Sequence, residues 1–217
     1  MAKFILADCL DPEIGLPSYP DNFFDLAIVD PPYGINAAKL GVGKSQKLKQ
    51  RNGNIKGGLW DSSIPSDFYF TELKRVSKNQ IIWGANYFAL PPCRGFVVWD
   101  KGKTLRGLDF SECELAYTSF NKPARMAVYD VNAFSQQFFQ ERVYGKIHPT
   151  QKPISLYRWL LENYAKPGDL ILDTHVGSAS SLIACESMGF DYVGYEIDAD
   201  YYKAAQNRMA KGIQLVI

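Results

Sequence analysis

The last third of the chain limits the fold more than any other stretch. Leu170–Asp173 is a short apolar run ending in an acid, the small-residue turn THVGSAS follows, and Ser181–Ser187 reads as a helix stopped at Gly189. Tyr192–Glu196 is then a strand, and Asp198 opens a last helix through Met209. Strand, helix, strand and helix in this order imply right-handed crossovers and a parallel sheet. Upstream, Lys3–Asp8, Leu26–Asp30, Gln80–Trp83, Phe96–Trp99, Glu114–Phe120 and Arg125–Tyr129 read as further strands. The last two are joined by the turn Asn121–Lys122–Pro123, so antiparallel character is expected there. Helices are expected after Pro65 and from Pro153, where Ile154, Tyr157, Leu160, Leu161 and Tyr164 recur at helical spacing. The simplest sum is one doubly wound α/β domain over residues 1–217, with a mixed, mostly parallel sheet containing an antiparallel strand pair.

Composition excludes several classes. The 217 residues carry 24 Lys and Arg against 23 Asp and Glu, and 47% are hydrophobic. No apolar run approaches the ~18 residues of a membrane span, and the start, MAKFILADCLDPE, turns acidic where a signal peptide stays apolar. A cytoplasmic protein is expected. Cys9, Cys93, Cys113 and Cys185 form no CxxC pair, and His148 and His175 are the only histidines, so no metal site is expected. Charge is unevenly spread: residues 1–30 hold six acids and Lys3 alone, whereas residues 31–60 hold Lys39, Lys44, Lys47, Lys49, Arg51 and Lys56 with no acid. Residues 34–60 lack apolar periodicity and read as a mobile basic loop suited to phosphates.

Asp30-Pro31-Pro32-Tyr33 follows the second strand. Two prolines stiffen the chain and remove two N–H donors, so the carbonyls beside Asp30 only accept. A carboxylate and a carbonyl on a rigid corner suit an exocyclic amino group, which offers two protons, and Tyr33 offers a face for a planar base. In the C-terminal unit, Gly177 permits close backbone approach and Glu196 lies where an acid can accept from ribose hydroxyls.

DPPY, WGANYF at 83–88, VWDK at 98–101, ELAYTSF at 114–120, HPTQKP at 148–153, LDTHVGSAS at 172–180 and VGYEID at 193–198 stand in one order. In that order the chain resembles the β-type amino-methyltransferases of DNA, phage- and prophage-encoded adenine enzymes of restriction-modification type among them. The resemblance covers nearly the whole chain. It implies a Rossmann-like methyltransferase fold, S-adenosylmethionine as cofactor and DNA as partner. By the same resemblance, Asp30 and the Pro31 carbonyl accept from the N6 amino group of a flipped-out adenine, Pro32 stiffens the corner, and Tyr33 stacks on the base. The cofactor would be held by Asp173, His175, Gly177 and Ser178, by Glu196 on the ribose, by Asp8 at the adenine, and by Thr150 and Lys152 at the methionine end. Lys39, Lys44, Lys47, Lys49 and Arg51 would meet DNA phosphates. A short target-recognition segment is expected within 121–147, and a homodimer is left open.

The chain departs from the family's D-P-F-x-G-S-G-T turn: Thr174-His175 replaces Pro-Phe, and Ala179 replaces the second glycine. An added Cβ disfavours positive φ, so a differently shaped turn or weaker cofactor binding is expected. Cytosine-N4 methylation uses the same chemistry and is the runner-up; a catalytically silent DNA- or cofactor-binding relative is the third reading. AKLGVGKS at 38–45 fits a permissive phosphate-loop pattern but lacks an apolar-faced helix after it, and Pro92-Cys93 lacks the partner motifs of a thiolate mechanism.

Overall fold

The computed structural model describes residues 1–35, 61–103, 106–107, 111–129, 144–145, 147–148 and 150–213, the last two without their side chains. The five basic residues assigned to DNA, the 38–45 motif and most of the 121–147 segment lie outside the described residues.

Eight strands form one sheet: β1 (Ala2–Leu6), β2 (Phe24–Val29), β3 (Ser77–Trp83), β4 (Phe96–Asp100), β5 (Cys113–Thr118), β6 (Arg125–Val128), β7 (Leu170–Asp173) and β8 (Asp191–Glu196). Their spatial order is β1-β8-β7-β2-β3-β5-β4-β6. From β1 to β3 all neighbours run parallel. β5 is the reversed strand, antiparallel to β3 on one side and to β4 on the other. The turn at Asn121–Pro123 therefore does not close a hairpin; β6 crosses over and pairs parallel with β4, Val97 opposite Arg125. Sequence adjacency favours a hairpin, but β5 already has both edges occupied, so β6 adds at the free side of β4.

Strand residues alternate between two cores. Leu26, Ile28, Ile81 and Trp83 join the face covered by α2 (Ile154–Tyr164), α3 (Ser180–Met188) and α4 (Ala199–Ile213). Ala27, Val29 and Ile82 join the other, with Leu16 and with Tyr69, Leu73 and Val76 of α1 (Asp67–Val76). Both faces of the central strands are buried, which is why they read as continuous apolar runs. The Ser66 hydroxyl caps α1 by accepting from the Tyr69 N–H, Asp67 stands in its first turn, and Lys74 and Arg75 stand in its last. α3 stops at Gly189, at φ +74°. Among the described residues no helix is long and apolar enough to cross a membrane.

Candidate active site

β2, β7 and β8 are consecutive neighbours in the sheet and parallel, so Asp30, Asp173 and Glu196 stand at or just past their C-terminal ends on one edge. Open α/β sheets bind ligands at that edge. The acidic corner and the glycine turn thus lie side by side.

The corner is held from several sides. Pro31 is buried, and the Gly34 N–H donates to the Asp61 carboxylate at 2.8 Å, tying the two stems of the 36–60 segment together. The Tyr33 hydroxyl donates to Asp30 Oδ1 at 2.6 Å. Its ring stacks on Tyr87, with centroids 4.8 Å apart and planes 13° from parallel, and meets Phe88 edge-on. Gly84, at φ +74°, lies against that ring: a Cβ there would stand 2.3 Å from Tyr33 Cε1. Burial and then the Asp30 charge push the Tyr33 hydroxyl well above the usual tyrosine range, so it remains a donor.

Lys152 is where sequence reasoning and structure differ most. The resemblance places it at the methionine end of the cofactor. Its side chain is buried, and its ammonium lies 2.6 Å from Asp30 Oδ2, 3.0 Å from Glu114 Oε2 and 3.2 Å from the Tyr33 oxygen, over the Trp83 ring. The ammonium donates hydrogen bonds to Asp30 Oδ2 and the Tyr33 oxygen, while Glu114 Oε2 faces it as an ion pair without hydrogen-bond alignment. Glu114 Oε1 pairs in turn with Lys101 at 2.7 Å. Burial disfavours the charged form of each group. For Glu114 the two lysines outweigh that, drawing its carboxyl down to about 2, and for Lys152 the two carboxylates raise the ammonium above its ordinary value. For Asp30 burial prevails over Lys152, and its carboxyl is raised.

The second half of the site is the turn after β7. Asp173 is buried, accepts from the His175 N–H at 3.0 Å and takes a short hydrogen bond from the Ser181 hydroxyl. Burial, partly offset by those bonds, raises its carboxyl to about 7. Glu196 accepts from the Gly177 N–H at 2.7 Å and from the Asp198 N–H at 2.9 Å, with the Ile197 N–H a third backbone donor, which leaves the carboxylate an acceptor site for a ligand hydroxyl. Gly177 has φ +52°, and the atoms nearest to where its Cβ would stand are 3.9 Å away, leaving space beside the bend. Ala179 adopts φ +61°, the left-handed conformation usual for glycine, so the turn keeps that geometry despite the extra methyl, at a cost of ~1–2 kcal/mol. The Ser178 hydroxyl bonds that of Ser180 at 3.2 Å. A cleft of about 200 Å³ lies between the halves, lined by Asp8, Pro32, Tyr69, His175 and the Ser62–Ser66 stretch. His175 Nδ1 meets the Thr174 hydroxyl at 2.9 Å, which meets the Tyr69 hydroxyl at 2.7 Å; burial lowers the imidazole to about 4, so it is neutral.

The HPTQKP segment spans the two halves. His148 comes nearest to Gly177, and Thr150, which is exposed, bonds His148 Nδ1 at 3.1 Å, while Lys152 reaches Asp30. Arg208 of α4, fully buried, donates to the Ser178 carbonyl at 2.6 Å and to the Ser180 hydroxyl at 3.0 Å. Sequence reasoning assigned no role to Glu114, Lys101, Gly84, Tyr69 or Arg208. An acid opening the apolar strand ELAYTSF was the available signal for Glu114. Cys93 is exposed and lines an apolar groove with Leu90, Phe96 and Tyr117 rather than the cleft at Pro32 and His175.

The sheet order, with β5 the one reversed strand among otherwise parallel neighbours, defines a Rossmann-like methyltransferase fold. Solved structures agree. Over 96% of this chain and 100% of its own, M1.HpyAVI in its SAM complex superposes with a TM-score of 0.58 at 18% identity. The PvuII DNA methyltransferase, a cytosine-N4-specific enzyme, gives 0.59 at 14% identity over 95% of this chain and 86% of its own. YubD of Escherichia coli (strain K12), a protein named as a methylase, is 25% identical over 97% of this chain and 91% of its own length. The profile of the N6/N4 DNA methylase family matches residues 82–207. The chain belongs to that family of DNA methylases.

Proposed function

We propose that this protein transfers a methyl group from S-adenosylmethionine to the N6 amino group of an adenine flipped out of DNA. The observation that carries the reading is the adjacency of the Asp30 corner to the turn after β7, on the ends of neighbouring parallel strands, with a cleft that reaches Pro32 of the one and His175 of the other. Family membership supports methyl transfer to DNA, and the resemblance favours adenine, since relatives that act on cytosine N4 more often carry serine where this chain has Asp30.

The residues fit the cofactor. Glu196 keeps an acceptor site for a ribose hydroxyl, the space beside Gly177 admits a ligand against the backbone, and Asp8 and His175 line the cleft. Asp173 and Ser178 shape the bend, and Thr150 approaches it from the HPTQKP side. Bound S-adenosylmethionine supplies an electrophilic methyl on a sulfonium. The rest falls to the chain. The N6 lone pair is delocalised into the purine, which makes the free amine a poor nucleophile. Asp30 and the Pro31 carbonyl accept hydrogen bonds from its two N–H groups, favour a pyramidal nitrogen and stabilise the positive charge that develops there as the N–C bond forms and the S–C bond breaks, after which the one surplus amine proton is lost to solvent. Tyr33 then gives up its bond to Asp30 and stacks on the extruded base, offsetting part of the few kcal/mol that flipping costs. Lys39, Lys44, Lys47, Lys49 and Arg51 contact phosphates.

Incubation with labelled S-adenosylmethionine and DNA, followed by nucleoside mass spectrometry, tests this. N6-methyladenine is expected. N4-methylcytosine would replace the target base, and the absence of any methylated nucleoside would overturn the reading.

A further inference from the structure

We propose that Glu114, braced by Lys101, is a positioning residue for Asp30: acting through Lys152, it fixes one carboxylate oxygen of Asp30 and leaves the other to accept the substrate amino group. The inference rests on the reading of Asp30 as that acceptor.

The four charges alternate in a row. Asp30 follows β2, Lys152 precedes α2, Glu114 lies in β5, and Lys101 follows β4, so four separate parts of the chain converge. The separations are 2.6, 3.0 and 2.7 Å. Lys152 contributes nothing from solvent, since its side chain is 3% exposed. A buried ammonium needs more than one carboxylate oxygen, and without Glu114 it would lean wholly on Asp30. Asp30 Oδ2 is occupied by Lys152, while Oδ1 accepts from the Tyr33 hydroxyl, a donor that can rotate away. That hydroxyl stands where an amino proton would bind.

The row sums to zero charge. Methyl transfer places a positive charge on the amine beside it, so deleting the Glu114 charge leaves a net cation opposing that development. The groups facing Asp30 are Lys152, Glu114 and Tyr33, with Tyr157 of α2, Tyr69 of α1 and Asp173 of β7 also within its field. Among them Glu114 acts to raise the Asp30 carboxyl. Removing its charge should therefore lower the pH at which Asp30 ionises, and removing Lys101 should raise it.

Glu114→Gln keeps the shape and deletes the charge. It is expected to lower kcat by ~10–100-fold with little change in KM, and to move the acidic limb of the pH profile to lower pH. Glu114→Asp, which keeps the charge, should retain more activity than Glu114→Gln. A packing role predicts the reverse order and an unmoved limb, and that result overturns the proposal. The same sign is read without turnover by carbon-13 titration of the Asp30 carboxyl in the full chain, assigned with Asp30→Asn. The midpoint should fall in Glu114→Gln and rise in Lys101→Met, the latter removing a charge at the outer end of the row should Glu114→Gln not fold. Midpoints that shift in a protein that methylates no DNA would refute the proposed function and leave the network standing. Unmoved midpoints in an active methyltransferase would refute the network alone.

Discussion

Gly84→Ala tests the architecture of the corner through one methyl group. Gly84 sits at φ +74°, where an alanine costs ~1–2 kcal/mol. Its added Cβ would stand 2.3 Å from Tyr33 Cε1 and 2.6 Å from Cδ1, more than an ångström inside ordinary contact. The ring must give way, because the opposing atoms belong to a side chain rather than to backbone. Moving it sacrifices the stack on Tyr87, worth ~0.5–1.5 kcal/mol, and the hydrogen bond to the Asp30 carboxylate, worth ~1.5–3 kcal/mol. Partial loss of both on top of the backbone strain gives an expected destabilisation of ~3–4 kcal/mol in urea unfolding. The cycle with Tyr33→Ala separates the contributions. With the ring gone, Gly84→Ala should cost only the ~1–2 kcal/mol of left-handed strain. Equal costs in the two backgrounds would show that the ring does not rest on Gly84 and would refute the reasoning.

Asp30→Ala should lower methyl transfer by ~10²–10³ in kcat, the loss expected for one group that binds the transition state; near-normal turnover of label would remove Asp30 from the chemistry. Asp173 carries a carboxyl raised from 3.8 to about 7 by burial. The native state therefore holds its proton where the unfolded chain has released it, so its contribution is full below pH ~4 and is lost as pH rises through 7, with a ceiling of ~4 kcal/mol. Asp173→Asn should flatten that decline in unfolding measured at pH 5 and pH 8, and an unchanged slope would contradict the assignment. Substituting Lys44, Lys47 and Lys49 together should weaken DNA binding and reduce the steepness of its salt dependence, read by fluorescence anisotropy, and an unaltered slope would take them off the phosphates.

The unit from Leu170 to the last helix was legible because local signals agree there: buried strands bounded by acids, a small-residue turn, and glycine at the end of α3. Both ends of β7 match the sequence reading, every other strand shifts by one to three residues at one end or both, and the last helix runs four residues further. The placement of β5 was not legible. Nothing within residues 114–129 records that the partners of β5 lie at β3 and β4, because pairing depends on which edges are open after the rest of the sheet has formed. The corner and the bend stood out through residue types that suit one chemistry. Glu114, Lys101 and Arg208 did not, since the partners of a buried charge can lie far apart in sequence: Lys152 meets Asp30 across 122 positions and Arg208 meets Ser178 across 30. Ala179 shows the converse case, in which a sequence rule identified the strained position and the surrounding packing holds it there regardless.

The central claim is spatial, and a crystal structure with sinefungin bound tests it most directly, because the amine of that analogue stands in for the transferable methyl. With the ligand ribose on Glu196, the amine should lie close enough to the Asp30 carboxylate for a base nitrogen held there to come within the ~3–3.5 Å of a near-attack geometry. A ligand seated with its amine turned away from Asp30, or outside the cleft between β2 and β7, would contradict the account.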